Sequence, residues 1–134
     1  MERWLGRFSK HAYALMRIVI GLAFASHGAQ KLLGFFGGST PPIYSQFWIG
    51  GVIELVGGGL VALGFLTGYA AFLCSGMMAV AYFQFHWFGG QNPGFWPILN
   101  GGEKALMYAL IFLFIATRGA GPWSLARLFG GGRG

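Results

Sequence analysis

The sequence predicts an all-α fold, a bundle of four transmembrane helices with short amphipathic helices at its N- and C-terminal ends. Three observations carry that prediction. Hydrophobic residues make up 55% of the 134 residues and charged residues only 9%, against roughly 25% charged in a soluble domain, so the surface must face lipid. Four apolar stretches approach the length needed to cross a hydrocarbon core of about 30 Å. Positive charge gathers at the ends, with Arg3, Arg7, Lys10 and Arg17 at the start and Arg118, Arg127 and Arg133 at the finish. Residues 1–134 suffice for one integral membrane domain and leave no length for a second.

The elements follow in order. Residues 1–10 place Trp4, Leu5 and Phe8 on one helical face and Arg3, Arg7 and Lys10 on the other, as in a helix lying at the headgroups. The first span is expected over residues 13–35. Ala23-Phe24-Ala25 has the form of a signal-peptidase site, but the apolar run before it is short and Arg17 interrupts it, so the segment is expected to stay as a span. Gly37-Gly38-Ser39-Thr40-Pro41-Pro42 then breaks the helix. Spans over 47–66 and 69–88 are separated by Thr67-Gly68 alone, which forces a tight turn between antiparallel neighbours. A longer loop opens at Gly89, and a fourth span of about 26 Å is expected over 101–117. Pro122-Trp123-Ser124 starts a brief tail helix with Ser124 at its N-cap, and the glycine-rich end is expected to be disordered.

With four crossings both termini lie on one side, and their charge makes that side the cytoplasm, with the protein integral to the inner or plasma membrane. The formal charge of +6 does not imply nucleic acid, because no basic run forms a phosphate-tracking surface. Aromatics crowd the opposite boundary, among them Trp48, Trp87, Phe88, Phe95 and Trp96. An aromatic belt is the ordinary reading, and a pocket for a flat hydrophobic ligand is the alternative. Glycines 50, 51, 57, 58, 59, 64 and 68 show no fixed period and suit close helix packing.

An ionisable group inside a span costs about 2.5–3.5 kcal/mol on insertion scales and needs a partner or a function. Span one carries Arg17, His27, Gln30 and Lys31, while span two carries only Glu54. His27 and Lys31 are four apart and share a face. If span one runs outward and span two inward, Glu54 lies about 10 Å below the outer boundary, level with His27 and Lys31. A buried cluster of Glu54, His27 and Lys31 is therefore expected. It serves either to lock two helices in register or to act on a ligand. Arg17, at the other end, is expected to snorkel to the headgroups.

His86 is expected to anchor at the outer interface rather than join that cluster. Asn100 and Glu103 fit a capping box at the start of span four. Cys74 is the only cysteine, which removes disulfide, dithiol redox and cysteine metal-cluster readings. The histidine spacing does not suggest a metal, and no haem or flavin signature is present. Hydrolase and nucleotide-enzyme patterns are absent.

Arg17 with Gly21, His27-Gly28-x-x-Lys31, Glu54 in a glycine-rich span, Asn100-Gly101-Gly102-Glu103 and Gly119-x-Gly121-Pro122-Trp123-Ser124-Leu125 together resemble the DoxX family. Where many relatives carry an acid after Ser-Leu, this chain has Ala126. The resemblance implies four transmembrane helices and a quinone-linked or thiol/sulfur-redox membrane subunit. A quinone is the implied cofactor. Electrons would come from a partner protein. The alternatives are a non-catalytic accessory subunit of a larger membrane complex, a homo-oligomer included, and a small-solute or proton pathway.

Overall fold

The structure, a computed structural model, describes residues 1–129. The glycine-rich end expected to be disordered lies outside the described residues, Arg133 included. Among the described residues all regular structure is helical. Helix α1 (Glu2–Leu5) passes through a 3-10 turn into α2 (Ser9–Leu33), with no loop between them. The first ten residues, all exposed, thus extend the first long helix. Gly34 ends α2 with a φ of 70°, a conformation open to glycine at little cost.

Helix α3 (Gln46–Leu63) starts at Ser45, whose hydroxyl accepts from the Trp48 N–H at 3.3 Å. It ends in a Schellman motif, the Phe65 N–H bonded to the Leu60 carbonyl and that of Gly64 to Val61. The turn into α4 (Thr67–Tyr82) is therefore Gly64-Phe65-Leu66, earlier than expected. Gly64 takes the left-handed cap, with a φ of 75°, while Thr67 and Gly68 already belong to α4. A π-helical turn over Phe83–Trp87 continues α4, closed by the Phe88 N–H on the Phe83 carbonyl. Short α5 (Pro97–Asn100), α6 (Glu103–Arg118) and short α7 (Leu125–Leu128) complete the chain.

Among the described residues three helices are long and apolar enough to cross a membrane: Glu2–Leu33, Gln46–Leu63 and Thr67–Trp87. Helix α6 has 16 residues, about 24 Å, and falls short of that measure. Exposed Leu22, Val56, Phe72 and Leu110 line the outer surface, as a lipid-facing bundle requires.

Helices α2 and α3 pack antiparallel at backbone contact. A Cβ added to Gly21 would lie 2.6 Å from the Ala62 nitrogen, one on Gly58 2.7 Å from that of Ala25, and one on Gly28 2.6 Å from the Gly51 carbonyl. The glycines that matter are thus spaced by seven in both helices. Gly59, by contrast, meets nothing within 4 Å. Helix α4 packs on α6, where the Ser75 hydroxyl donates to the Ala109 carbonyl at 2.7 Å. Between the two pairs lie Phe24, Phe112, Val61, Cys74 and Ile115. The Phe24 ring sits 4.7 Å from Phe112 and 5.1 Å from Tyr108.

Arg17 does not snorkel. It is fully buried. Its Nη1 donates to the carbonyls of Val61 and Ala62, both at 2.8 Å, and Nη2 to those of Pro122 and Trp123, at 3.0 and 2.7 Å. The last turn of α3 offers carbonyls with lone pairs free for a further donor, and the Gly121-Pro122-Trp123 turn supplies two more beside them. The tail is held further by the Ala126 N–H on the Gly64 carbonyl and the Tyr13 hydroxyl on that of Gly119. Ser124 stands at the N-cap of α7, but its hydroxyl donates back to Gly121. Both described ends of the chain meet here, the His11 and Trp123 rings 5.5 Å apart.

Candidate functional site

At the opposite end of α2, Lys31 Nζ lies 2.7 Å from Glu54 Oε1, the side chains 34% and 4% exposed. The contact follows from the glycines beside it. Gly28 and Gly51 remove the side chains that would hold α2 and α3 apart, and a Cβ on Gly51 would stand 3.0 Å from that of Lys31. The ammonium therefore needs little reach. Glu54 Oε2 is buried without a partner.

The pair borders a cavity of about 270 Å³ between the two helix pairs. His27, half-buried, lines it across an edge-on contact with Tyr108 at 6.2 Å and makes no hydrogen bond to either member of the pair. His86, one residue from the end of its span, lines it too. The π-helical turn carries one more residue per turn than an α-helix and so redirects His86 toward α6. Its Nδ1 lies 3.2 Å from the Asn100 carbonyl. A carbonyl only accepts, so this bond places the proton on Nδ1 and leaves Nε2 as an acceptor in the neutral ring. Gly102 makes room, since a Cβ there would lie 2.8 Å from that of His86.

The expected capping box does not form. Helix α6 begins at Glu103, which makes Glu103 the first helical residue rather than the third. Asn100 instead folds the loop. Its Oδ1 accepts from the Gly102 N–H at 2.8 Å, and its Nδ2 donates to the Gly94 carbonyl at 2.8 Å and the Tyr82 hydroxyl at 3.3 Å. Glu103 faces outward. Gln30 packs at the Gly38 loop. Arg17 lies fourteen residues from Lys31, about 21 Å along α2, and is no part of the cavity.

Two cavity residues escape the sequence reading, Lys104 and Tyr108 on α6. They are four apart and share a face, the same signal that groups His27 with Lys31. The cavity thus gathers one carboxylate, two amines, two imidazoles and a phenol, groups able to hydrogen-bond a polar ligand and exchange protons with it. Among the described residues no three His, Cys, Asp or Glu side chains are grouped to hold a metal ion.

A second, larger groove of about 770 Å³ lies on the outer side of α4 and α6. Trp87, Phe95, Trp96, Leu106 and Leu110 wall it, with Glu103 at its edge.

Comparison with known proteins places this geometry in context. The family model described as DoxX matches residues 12–87, which include His27, Lys31, Glu54 and His86 but stop short of Asn100-Gly101-Gly102-Glu103 and the Gly-Pro-Trp tail. A protein of Haemophilus influenzae, described as uncharacterized, is 41% identical over 129 residues, covering 93% of this chain and 96% of that protein. An uncharacterized membrane protein of Mycobacterium tuberculosis is 32% identical over 126 residues, covering 84% of this chain and 77% of its own. No solved structure matches.

Proposed function

The chain belongs to the DoxX family of proteins, and from that premise we propose that it is the membrane subunit of a redox assembly whose polar cavity receives a quinone head group. One observation carries the reading: Glu54, 4% exposed and paired through one oxygen with Lys31, borders a membrane-embedded cavity ringed by other proton-exchanging side chains. Intramembrane ionisable groups of this kind mark ion, proton or ligand sites by default. At about 270 Å³ the cavity is below the roughly 300–1,000 Å³ of drug-sized pockets, a size that suits one ring with its tail left in lipid.

Reduction of a quinone to its quinol takes two electrons and two protons. Lys31, Lys104 and the Tyr108 hydroxyl are positioned to donate to quinone oxygens, and Glu54 and the histidines to exchange the protons. The electrons come from a partner protein, because the chain has a single cysteine and it is buried. In this reading α6 is a fourth span, its shortness met by local thinning of the bilayer. The basic end, where His11 and Trp123 meet, faces the cytoplasm.

The test is chemical. Protein purified from native membranes in mild detergent should carry quinone in near-stoichiometric amount, and Glu54→Gln should lose most of it. Quinone no higher than the lipid background in the wild type refutes the proposal. The outer apolar groove favours a second reading, an accessory subunit that docks a partner helix. That reading predicts stoichiometric co-purification of another membrane protein, and a monodisperse single chain argues against it.

A further inference from the structure

A carboxylate buried among apolar helices exchanges protons only if water or another titratable group can reach it. The larger cavity supplies such groups on one side of Glu54: His27, His86, Lys104 and Tyr108. On the other side lies a smaller cavity, of about 150 Å³, between α3 and α4. The two share one wall, made of Lys31, Glu54, Met78 and Ala81. The ion pair therefore stands as a partition between two spaces, and among the described residues that line the smaller cavity Lys31 is the one titratable group beside Glu54; Cys74, also on α4, is buried near Glu54 but does not line it.

Three features give the smaller cavity the character of an entry. It opens toward the start of α3, where exposed Gln46 and Gln84 hydrogen-bond each other at 2.8 Å, about 12 Å along the helix from Glu54. Gly50 keeps its interior clear. A Cβ there would meet only Met77 Sδ, at 3.8 Å, so this glycine is not spent on helix contact as Gly28, Gly51 and Gly58 are. Finally, Glu54 Oε2 is buried and unpartnered, an acceptor in need of a donor.

We propose that the smaller cavity is a water entry through which protons reach Glu54 from the Gln46 end of the bundle. The proposal rests on the reading that Glu54 serves a ligand in the larger cavity. Its volume is ample for a short file of waters, each taking roughly 30 Å³ in the liquid. A hydronium at the inner end transfers its proton to Oε2, which leaves water behind and a neutral carboxyl group. That proton then passes to the ligand oxygen in the larger cavity, and Glu54 returns to the carboxylate. Lys31 keeps its charge throughout.

Cysteine accessibility in nanodiscs, where both faces meet water, tests the entry. The probe is 2-aminoethyl methanethiosulfonate, which reacts with the thiolate and hence with hydrated thiols. Gly50→Cys and, from the opposite wall, Met77→Cys should be modified at rates within about tenfold of Gln46→Cys at the mouth and at least about a hundredfold above Ile49→Cys. Ile49 is matched in depth but faces outward, 48% exposed. The wild type supplies the background from buried Cys74. If both wall variants are monodisperse and react as slowly as Ile49→Cys, the entry does not exist. Failure of quinone co-purification with fast wall labelling sinks the quinone reading alone, whereas quinone retained with unlabelled walls sinks the entry alone.

Discussion

Removing the two members of the ion pair should have unequal consequences, because their surroundings are unequal. Lys31 is 34% exposed and Glu54 4%. In Glu54→Gln the amide keeps the shape, and the freed ammonium, two residues from the end of α2, can swing its long stem toward the interface. The loss should be about 1 kcal/mol, near the upper end for a pair with solvent access. Lys31→Met leaves Glu54 with no such exit. Holding an unpaired buried charge costs about 3–5 kcal/mol. Lys31→Met should therefore be destabilised by about 3–4 kcal/mol, and the double variant should return close to Glu54→Gln alone. Unfolding in mixed micelles with increasing dodecyl sulfate, followed by circular dichroism, reads the wild type and all three variants. Equal losses in Lys31→Met and Glu54→Gln would refute the argument, since they would mean that Glu54 reaches water as easily as Lys31 does.

Other consequences are simpler. Gly28→Val must push α2 off α3 and should cost more than about 3 kcal/mol, whereas Gly59→Ala, with open space around it, should stabilise the helix by roughly 0.5–1 kcal/mol; the same micelle titration separates them. Arg17→Lys keeps the charge but cannot span four carbonyls on two segments. It should lose about 2–3 kcal/mol and expose the chain after Arg118 to limited proteolysis, detected as a small mass loss. Asn100→Ala removes all three bonds that shape the approach to α6, and should bring rapid protease cleavage between Gly89 and Gly101 while the long helices stay intact by circular dichroism.

The long helices are legible because composition and period depend on many residues at once. Their ends are less so, because a single cap decides each. Gly64 and Gly68 look alike in sequence, yet only Gly64 has Leu60 and Val61 carbonyls placed for a Schellman bond. Asn100 and Glu103 have the spacing of a capping box, but Asn100 finds three partners in the loop first. Within the site, counting residues along two antiparallel helices is enough to set Glu54 at the level of Lys31. Sequence spacing does not reveal His86, since its direction depends on a π-helical turn with no signature of its own. Arg17 is opaque for a related reason. Its partners are four backbone carbonyls, and a carbonyl exists at every position.

The glycine pattern also bears on what the ion pair is for. A charge pair between two membrane helices can serve to fix their register. Here Gly21 and Gly28 already meet Gly58 and Gly51 at backbone contact, two contacts seven residues apart, about 10.5 Å. Sliding α3 by one turn, about 5.4 Å, would drive side-chain-bearing residues against α2 at both places. Steric contact therefore holds the alignment without any charge, and a double variant with neutral side chains at positions 31 and 54 should keep it. A carboxylate placed where packing does not need it, with one oxygen unpartnered and a cavity on either side, is better explained by proton exchange than by helix pairing.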